Sequence, residues 1–322
     1  MIVGVTGLYT GSEVEPGYAI LGCLKQSHDP QLKLVGLSSS PVFGCAYRKD
    51  LTDRTYLVPT LSKDNVELYL KRIKEIKSEK GLDVLIPATE EETSALVPYT
   101  RELNRLGILT LLPTVRAMNA VSDRDKIARF QNRGAKTMPS ISSGEPGISG
   151  GHPIAMAFPL VKNPVSTPFP HQQIKGDYYS AAILTDRDKK VAAIAVVHQL
   201  LVSKGGSTWM GKIVAVDAIQ DMAGKLAAYL KWTGPLTINI YVDEKGRIFI
   251  MSTHPGLPDW INFIADAGLN FPAMMLDIIR GRPLSPAPVI ATDGFFVRMS
   301  VDMVTDMSDF GAFSLKGVLP DE

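Results

Sequence analysis

The chain of 322 residues is 45% hydrophobic and 21% charged, with 34 basic against 33 acidic side chains and a formal net charge of +1. This is globular composition, long enough for two or three domains. The charge balance excludes the basic excess of a nucleic-acid binder or of a protein drawn to an anionic membrane surface. Cys23 and Cys45 are the two cysteines and lack C-x-x-C spacing, which excludes a disulfide framework and reads as buried thiols.

The opening run MIVGVTGL has no basic stretch before it, so it is not a signal peptide, and no apolar stretch reaches the ~20 residues of a membrane span. A soluble cytoplasmic protein is the expectation. Ile2–Val5 reads as a strand, and GYAILGCLKQS as a helix after a Gly-rich loop. That loop holds Gly7, Gly11 and Gly17 but no G-x-G-x-x-G, so it reads as a long turn. Strands follow at Leu32–Leu37 and Tyr56–Val58. A helix then begins after Ser62 and stops at Gly81, with Lys and Arg through its last turns. LDVLIPA is a strand, EEETSALVPYTRELNRLG a helix interrupted at Pro98, ILTLLP a strand, and TVRAMNAVSDRDKIARFQNRG a further helical stretch. Such alternation predicts a parallel sheet covered on both faces, with ligands at the carboxyl ends of its strands.

Around Ser140 the composition shifts. SISSGEPGISGGHP is a linker or loop without apolar period, and no Gly-Lys-Ser/Thr phosphate loop is present. HPIAMAFPLVKNP then reads as a strand, and HQQIKGDYYSAAILTD enters another. KKVAAIAVVHQLLVSKGGSTWMGKIVAV continues the sheet, and DMAGKLAAYLKWTG is a helix. PLTINIYVDEKGRIFIMS is a hairpin turning at Asp243–Gly246.

The order of these pieces resembles the ATP-grasp family, most closely the large subunit of carbamoyl phosphate synthase and related carboxylate–amine ligases. The fold expected is α/β. An N-terminal parallel-sheet, Rossmann-like domain (1–115) precedes a linking helix, loop and truncated small lobe (116–180). A reduced ATP-grasp α+β lobe with a Met/Phe-rich tail (181–322) completes the chain. On this resemblance SDRDK supplies Lys126, and FPLVKNP supplies Lys162, as phosphate-contacting bases. QQIKGDYYSAAILTD is similar to the adenine hinge, placing Gln172, Gln173 and Ile174 on the base and Tyr178 where a ribose-binding glutamate stands. KGGSTWMGK places Lys204, Gly205, Gly206 and Ser207 near the transferred phosphate. The family joins a carboxylate to an amine through an acyl phosphate, with magnesium bridging phosphates.

The departures fall together. The hairpin of the family ends E-x-N-P-R; here the acid falls on Ser252, the amide on His254, the arginine on Gly256, and the facing acid near Asn239. A hydroxyl and an imidazole are poor magnesium ligands. The connector NPVSTPFPH replaces a Gly-rich phosphate loop with three prolines, Pro164, Pro168 and Pro170. The sequence therefore implies ATP with magnesium in doubt, in a degenerate member that pairs with itself or with an active ATP-grasp protein. A working ligase and a small-molecule sensor are the two other readings. The five histidines have no zinc spacing. Ser252 beside His254 reads as mere strand geometry, since no G-x-S-x-G elbow is present. His198 reads as a core histidine. Lys204–Ser207 is either an anion-binding turn or a plain hairpin turn. Met299, Met303 and Met307 form one stripe if helical, although the neighbouring valines favour strand.

Overall fold

The computed structural model describes residues 1–8, 16–134, 176–203, 207–284, 294–299 and 302–319. β1 (Ile2–Val5) is followed by α1 (Pro16–Gln26), which starts hard against the end of that strand. A Cβ on Gly17 would strike the Thr6 carbonyl oxygen, so only glycine permits the approach. β2 (Lys33–Ser38), β3 (Arg54–Leu57) and α2 (Val66–Lys80) come next, and α2 ends at Gly81 with φ 82. After β4 (Val84–Ile86) the predicted helix over 90–107 is divided. α3 (Glu90–Leu96) and α4 (Thr100–Arg105) flank a 3-10 turn at Val97–Tyr99, where Pro98 has no N–H to give.

The strand expected at 108–113 is reduced to one bridge. Leu109 N–H donates to Asp83 O at 2.8 Å, and Leu85 N–H to Leu109 O at 3.0 Å. The ladder does not continue to Pro113, which lacks a donor. The stretch 114–134 is two helices, α5 (Val115–Val121) and α6 (Arg124–Gly134). Ser122 closes the first, and Asp123 Oδ1 accepts from Lys126 N–H at 3.0 Å to start the second.

The remaining elements are β5 (Gly176–Thr185), β6 (Val191–Val202), β7 (Thr208–Ile213), α7 (Asp217–Leu230), β8 (Gly234–Asp243) and β9 (Ile248–Pro255). They are followed by α8 (Ile261–Asp266), α9 (Phe271–Arg280), β10 (Phe295–Val297), α10 (Met307–Lys316) and β11 (Val318–Leu319). Among the described residues, one sheet has the order β11-β3-β2-β1-β4, parallel except for β11. The other has the order β10-β7-β6-β5-β8-β9 and is antiparallel throughout.

Period-two alternation gives the second sheet two apolar faces. Ala181, Ile183, Ile238 and Ile240 pack on α7 and α5. Ala182, Leu184 and Val197 on the other face join Trp260 and Phe271, and through them Val3 of the first sheet and Ile20 of α1. One continuous core thus fixes one sheet against the other. Both cysteines are buried and neither is in a disulfide; Cys23 Sγ lies 3.1 Å from Asn262 Oδ1, and burial pushes its thiol up.

The tail departs from a single helical stripe. Met299 and Met303 precede α10, Met307 opens it, and Met299 and Met307 are 76% and 80% exposed. Packing comes instead from Phe313, buried edge-on against Tyr47 with ring centroids 5.8 Å apart, and from β11, which pairs antiparallel with β3. No described helix is long and apolar enough to cross a membrane.

Candidate functional site

The β8–β9 hairpin places the site. Its turn is held by Asp243, which accepts from the N–H groups of Lys245 (3.0 Å) and Arg247 (2.8 Å) and from the Arg247 guanidinium. These contacts outweigh desolvation and hold the Asp243 carboxyl below its ordinary range. A register shift between Asn239 and Ile240 lets Ile240 face Ile250 while Asn239 faces Ser252. Ser252 and His254 then share one face of β9, because strand side chains alternate. Between them Thr253 points the other way and donates to Val121 O at 3.1 Å.

Side chains on the shared face form a chain of hydrogen bonds. Asn239 Nδ2 donates to Ser252 Oγ at 3.1 Å, and Ser252 Oγ lies 2.8 Å from His254 Nε2. His254 Nδ1 lies 3.0 Å from Glu90 Oε2, on the first turn of α3. A carboxylate only accepts, so Nδ1 carries a ring proton toward Glu90, and in the neutral imidazole Nε2 accepts from the Ser252 hydroxyl. Asn239, Ser252 and His254, chosen from sequence as positions that have lost metal ligands, are therefore brought together. Glu90 was not foreseen: it lies 164 residues away, on the helix that follows β4 of the other sheet.

Glu90 is itself positioned by a capping box. Thr89 Oγ1 accepts from Glu92 N–H at 3.2 Å, and the Glu92 carboxylate accepts from Thr89 N–H at 3.1 Å. The same carboxylate accepts from Ala88 N–H (3.1 Å), Gly7 N–H (3.2 Å) and Thr6 Oγ1 (2.5 Å). Burial pushes the Glu92 carboxyl up, and those bonds oppose the rise.

Tyr178 faces Tyr241 across the β5–β8 pair with ring centroids 5.3 Å apart, and burial, then the neighbouring phenol, pushes it up. Lys126 is not drawn into the hydrogen-bonded chain; its Nζ lies 5.9 Å over the Tyr229 ring of α7. Ser207 N–H donates to Ser203 Oγ at 3.1 Å at the foot of the β6–β7 connection. His198 is not a core residue. Its side chain is 27% exposed, pairs with Asp177 at 3.3 Å and stacks on Tyr179. Lys162, Gln172, Gln173, Ile174, Lys204, Gly205 and Gly206 lie outside the described residues, as does the connector 163–171.

Asp259, missed in the sequence, ties three elements. It accepts from Thr208 N–H at 2.8 Å, and its Oδ2 lies 3.6 Å from Arg298, which follows β10. Desolvation raises its carboxyl to about 6, against the pull of Arg298. A raised acid adds a cost as pH climbs from the ordinary value of 3.8 through about 6. Asp259→Asn should remove that dependence. With the carboxylate 23% exposed, the stability difference between wild type and variant should fall by about 1–2 kcal/mol between pH 4 and pH 7. Urea unfolding at both pH values measures it, and a pH-independent difference would contradict the assignment.

The donor set at the hairpin does not suit magnesium, which takes hard oxygens, chiefly carboxylates. Asn239, Ser252 and His254 provide an amide, a hydroxyl and an imidazole that already satisfy one another, and Glu90 is engaged by His254. Among the described residues no three His, Cys, Asp or Glu side chains gather as a metal site. Gly256, where the arginine of the family motif would stand, has φ 133, a conformation that a side chain would strain.

No family model matches the chain, and no curated protein matches it. Solved structures do. The biotin carboxylase–βγ-ATP complex from Campylobacter jejuni is similar with TM-score 0.62 and 15% identity over 91% of this chain and 74% of that one. Phosphoribosylaminoimidazole carboxylase ATPase subunit from Aquifex aeolicus gives 0.53 and 15% over 88% and 77%. Rhizobium etli pyruvate carboxylase T882A, solved with acetyl coenzyme-A, gives 0.59 and 15% over 91% of this chain. The chain spans only 28% of that carboxylase, and 26% of the complete multifunctional pyruvate carboxylase from the same organism. With a parallel sheet leading into an antiparallel one, and these neighbours, the chain has the ATP-grasp fold.

Proposed function

We propose that the protein is a catalytically degenerate ATP-grasp chain, which binds nucleotide without a resident magnesium ion and serves as a partner or regulatory subunit. One observation carries this reading. The hairpin positions expected to hold magnesium instead hold Asn239, Ser252 and His254, bonded to one another and to Glu90. Two further facts support it. Several of the similar structures are parts of larger multifunctional chains. The tail also exposes Phe295, Val297, Met299, Val304, Met307 and Leu315, apolar surface suited to a partner.

The test is thermal or chemical unfolding with ATP alone and with ATP plus magnesium. A ligand at 100 times its Kd stabilises by about 2.7 kcal/mol. The reading expects the two ATP titrations to coincide. Stabilisation that appears only with magnesium would overturn it.

A further inference from the structure

We propose that Ser252 is an activated nucleophile, with His254 its general base and Glu90 the residue that positions the imidazole, acting on activated carboxylic esters. The arrangement has the polarity that such chemistry needs. Glu90 Oε2 accepts a hydrogen bond from Nδ1–H at 3.0 Å, so in the neutral imidazole Nε2 presents its lone pair to Ser252 Oγ at 2.8 Å. This constellation is defined by geometry and roles and recurs in different chain orders on unrelated folds. Asn239 Nδ2 lies 3.1 Å from Oγ, and its second N–H is suited to stabilise an oxyanion formed beside the hydroxyl.

The group is open to solvent, with the His254 and Glu90 side chains 44% and 41% exposed. Glu90 comes from α3 and the other three from the hairpin, so the relay exists only when the first domain and the second sheet are assembled. With Asn239 as the side-chain donor offered to the oxyanion, the arrangement fits an ester whose leaving group departs readily, an aryl ester or a thioester. In the reaction the Oγ–carbonyl bond forms as the Oγ proton moves to Nε2. The bond to the leaving oxygen or sulfur breaks as that atom takes the proton. Water, deprotonated by the same nitrogen, releases the acyl group as a carboxylic acid and restores the hydroxyl.

A fluorophosphonate tests the nucleophile directly, since Oγ bonds to phosphorus, fluoride leaves, and the proton passes to His254. The purified full chain is treated with the probe, and the modified peptide is located by mass spectrometry. Labelling is expected on Ser252 alone in wild type, and p-nitrophenyl acetate should be hydrolysed. His254→Asn should slow labelling by about 100-fold or more. Glu90→Gln should slow it at unchanged melting temperature, with Glu90→Asp partly restoring the rate. Site localisation in wild type keeps the proposal testable even if a variant fails to fold. An unlabelled Ser252, or a wild-type rate in His254→Asn, would overturn it. Neither result depends on ATP or magnesium, so it stands apart from the ATP titrations.

Discussion

Glu92→Ala should lower the unfolding free energy by about 3–5 kcal/mol. The side chain is buried, and its two oxygens accept from Thr6, Gly7, Ala88 and Thr89. Alanine removes the acceptor of the Gly7 and Thr89 N–H groups, while Ala88 N–H keeps Thr6 Oγ1 at 3.0 Å, and each unpaired buried group costs about 1–3 kcal/mol. It also removes one half of the capping box. Glu92→Gln keeps one accepting oxygen and should cost roughly half as much. Urea denaturation reads both, and the midpoint should fall with little change in slope. A variant as stable as wild type would show that the loop after β1 and the β4–α3 turn hold together without the carboxylate. Because α3 also carries Glu90, Glu92→Ala should in addition loosen the Glu90–His254 contact.

The second large effect concerns magnesium. Ser252→Glu with His254→Asn should tighten magnesium binding by at least about tenfold over wild type, or roughly 1.4 kcal/mol. Register places Ser252 opposite Asn239, so a carboxylate introduced there faces the Asn239 amide across the hairpin. The second substitution exchanges an imidazole for an oxygen donor of the kind magnesium accepts. It also frees Glu90 from its partner. Adding Asn239→Asp supplies a second carboxylate and should tighten binding further. Calorimetry with magnesium chloride makes the measurement. Identical isotherms for wild type and triple variant would mean that the hairpin spacing, rather than its side chains, bars the ion.

Much of this architecture was readable in the sequence, for local reasons. Ile2–Val5 and Lys33–Ser38 are apolar runs between turn residues, and α2 is bounded by a loop and Gly81. The hairpin turn at Asp243–Gly246 followed from alternation between its two strands and from the family resemblance. What escaped depends on partners distant in sequence. Residues 108–113 look like a strand, yet whether they form one is decided by how far β4 extends beside them, and β4 has three residues. His198 sits in an apolar run, but its cross-strand neighbour Tyr179 and nearby Asp177 hold it at the surface. At the site, the residues of β9 could be picked out because they break a known pattern. Glu90 broke none. The T-x-x-E spelling of Thr89–Glu92 was a signal for the cap that positions it, though nothing local connects it with His254. β11 spans two residues, too few for any periodic signal.

That short last strand has a consequence for how the molecule is made. Among the described residues, β3 lies inside its sheet because Val318 and Leu319 pair with Tyr56 and Thr55. Phe313 then seals Tyr47 beneath the same edge. While the ribosome is still extending the chain, β1 to β4 can associate, but the outer edge of β3 has no strand beside it. An open edge invites pairing with other nascent chains. Closing it also requires the most sequence-distant contact in the sheet, which is slow to form. The first sheet to leave the ribosome is therefore the last to be completed, and chaperone dependence should concentrate in that interval.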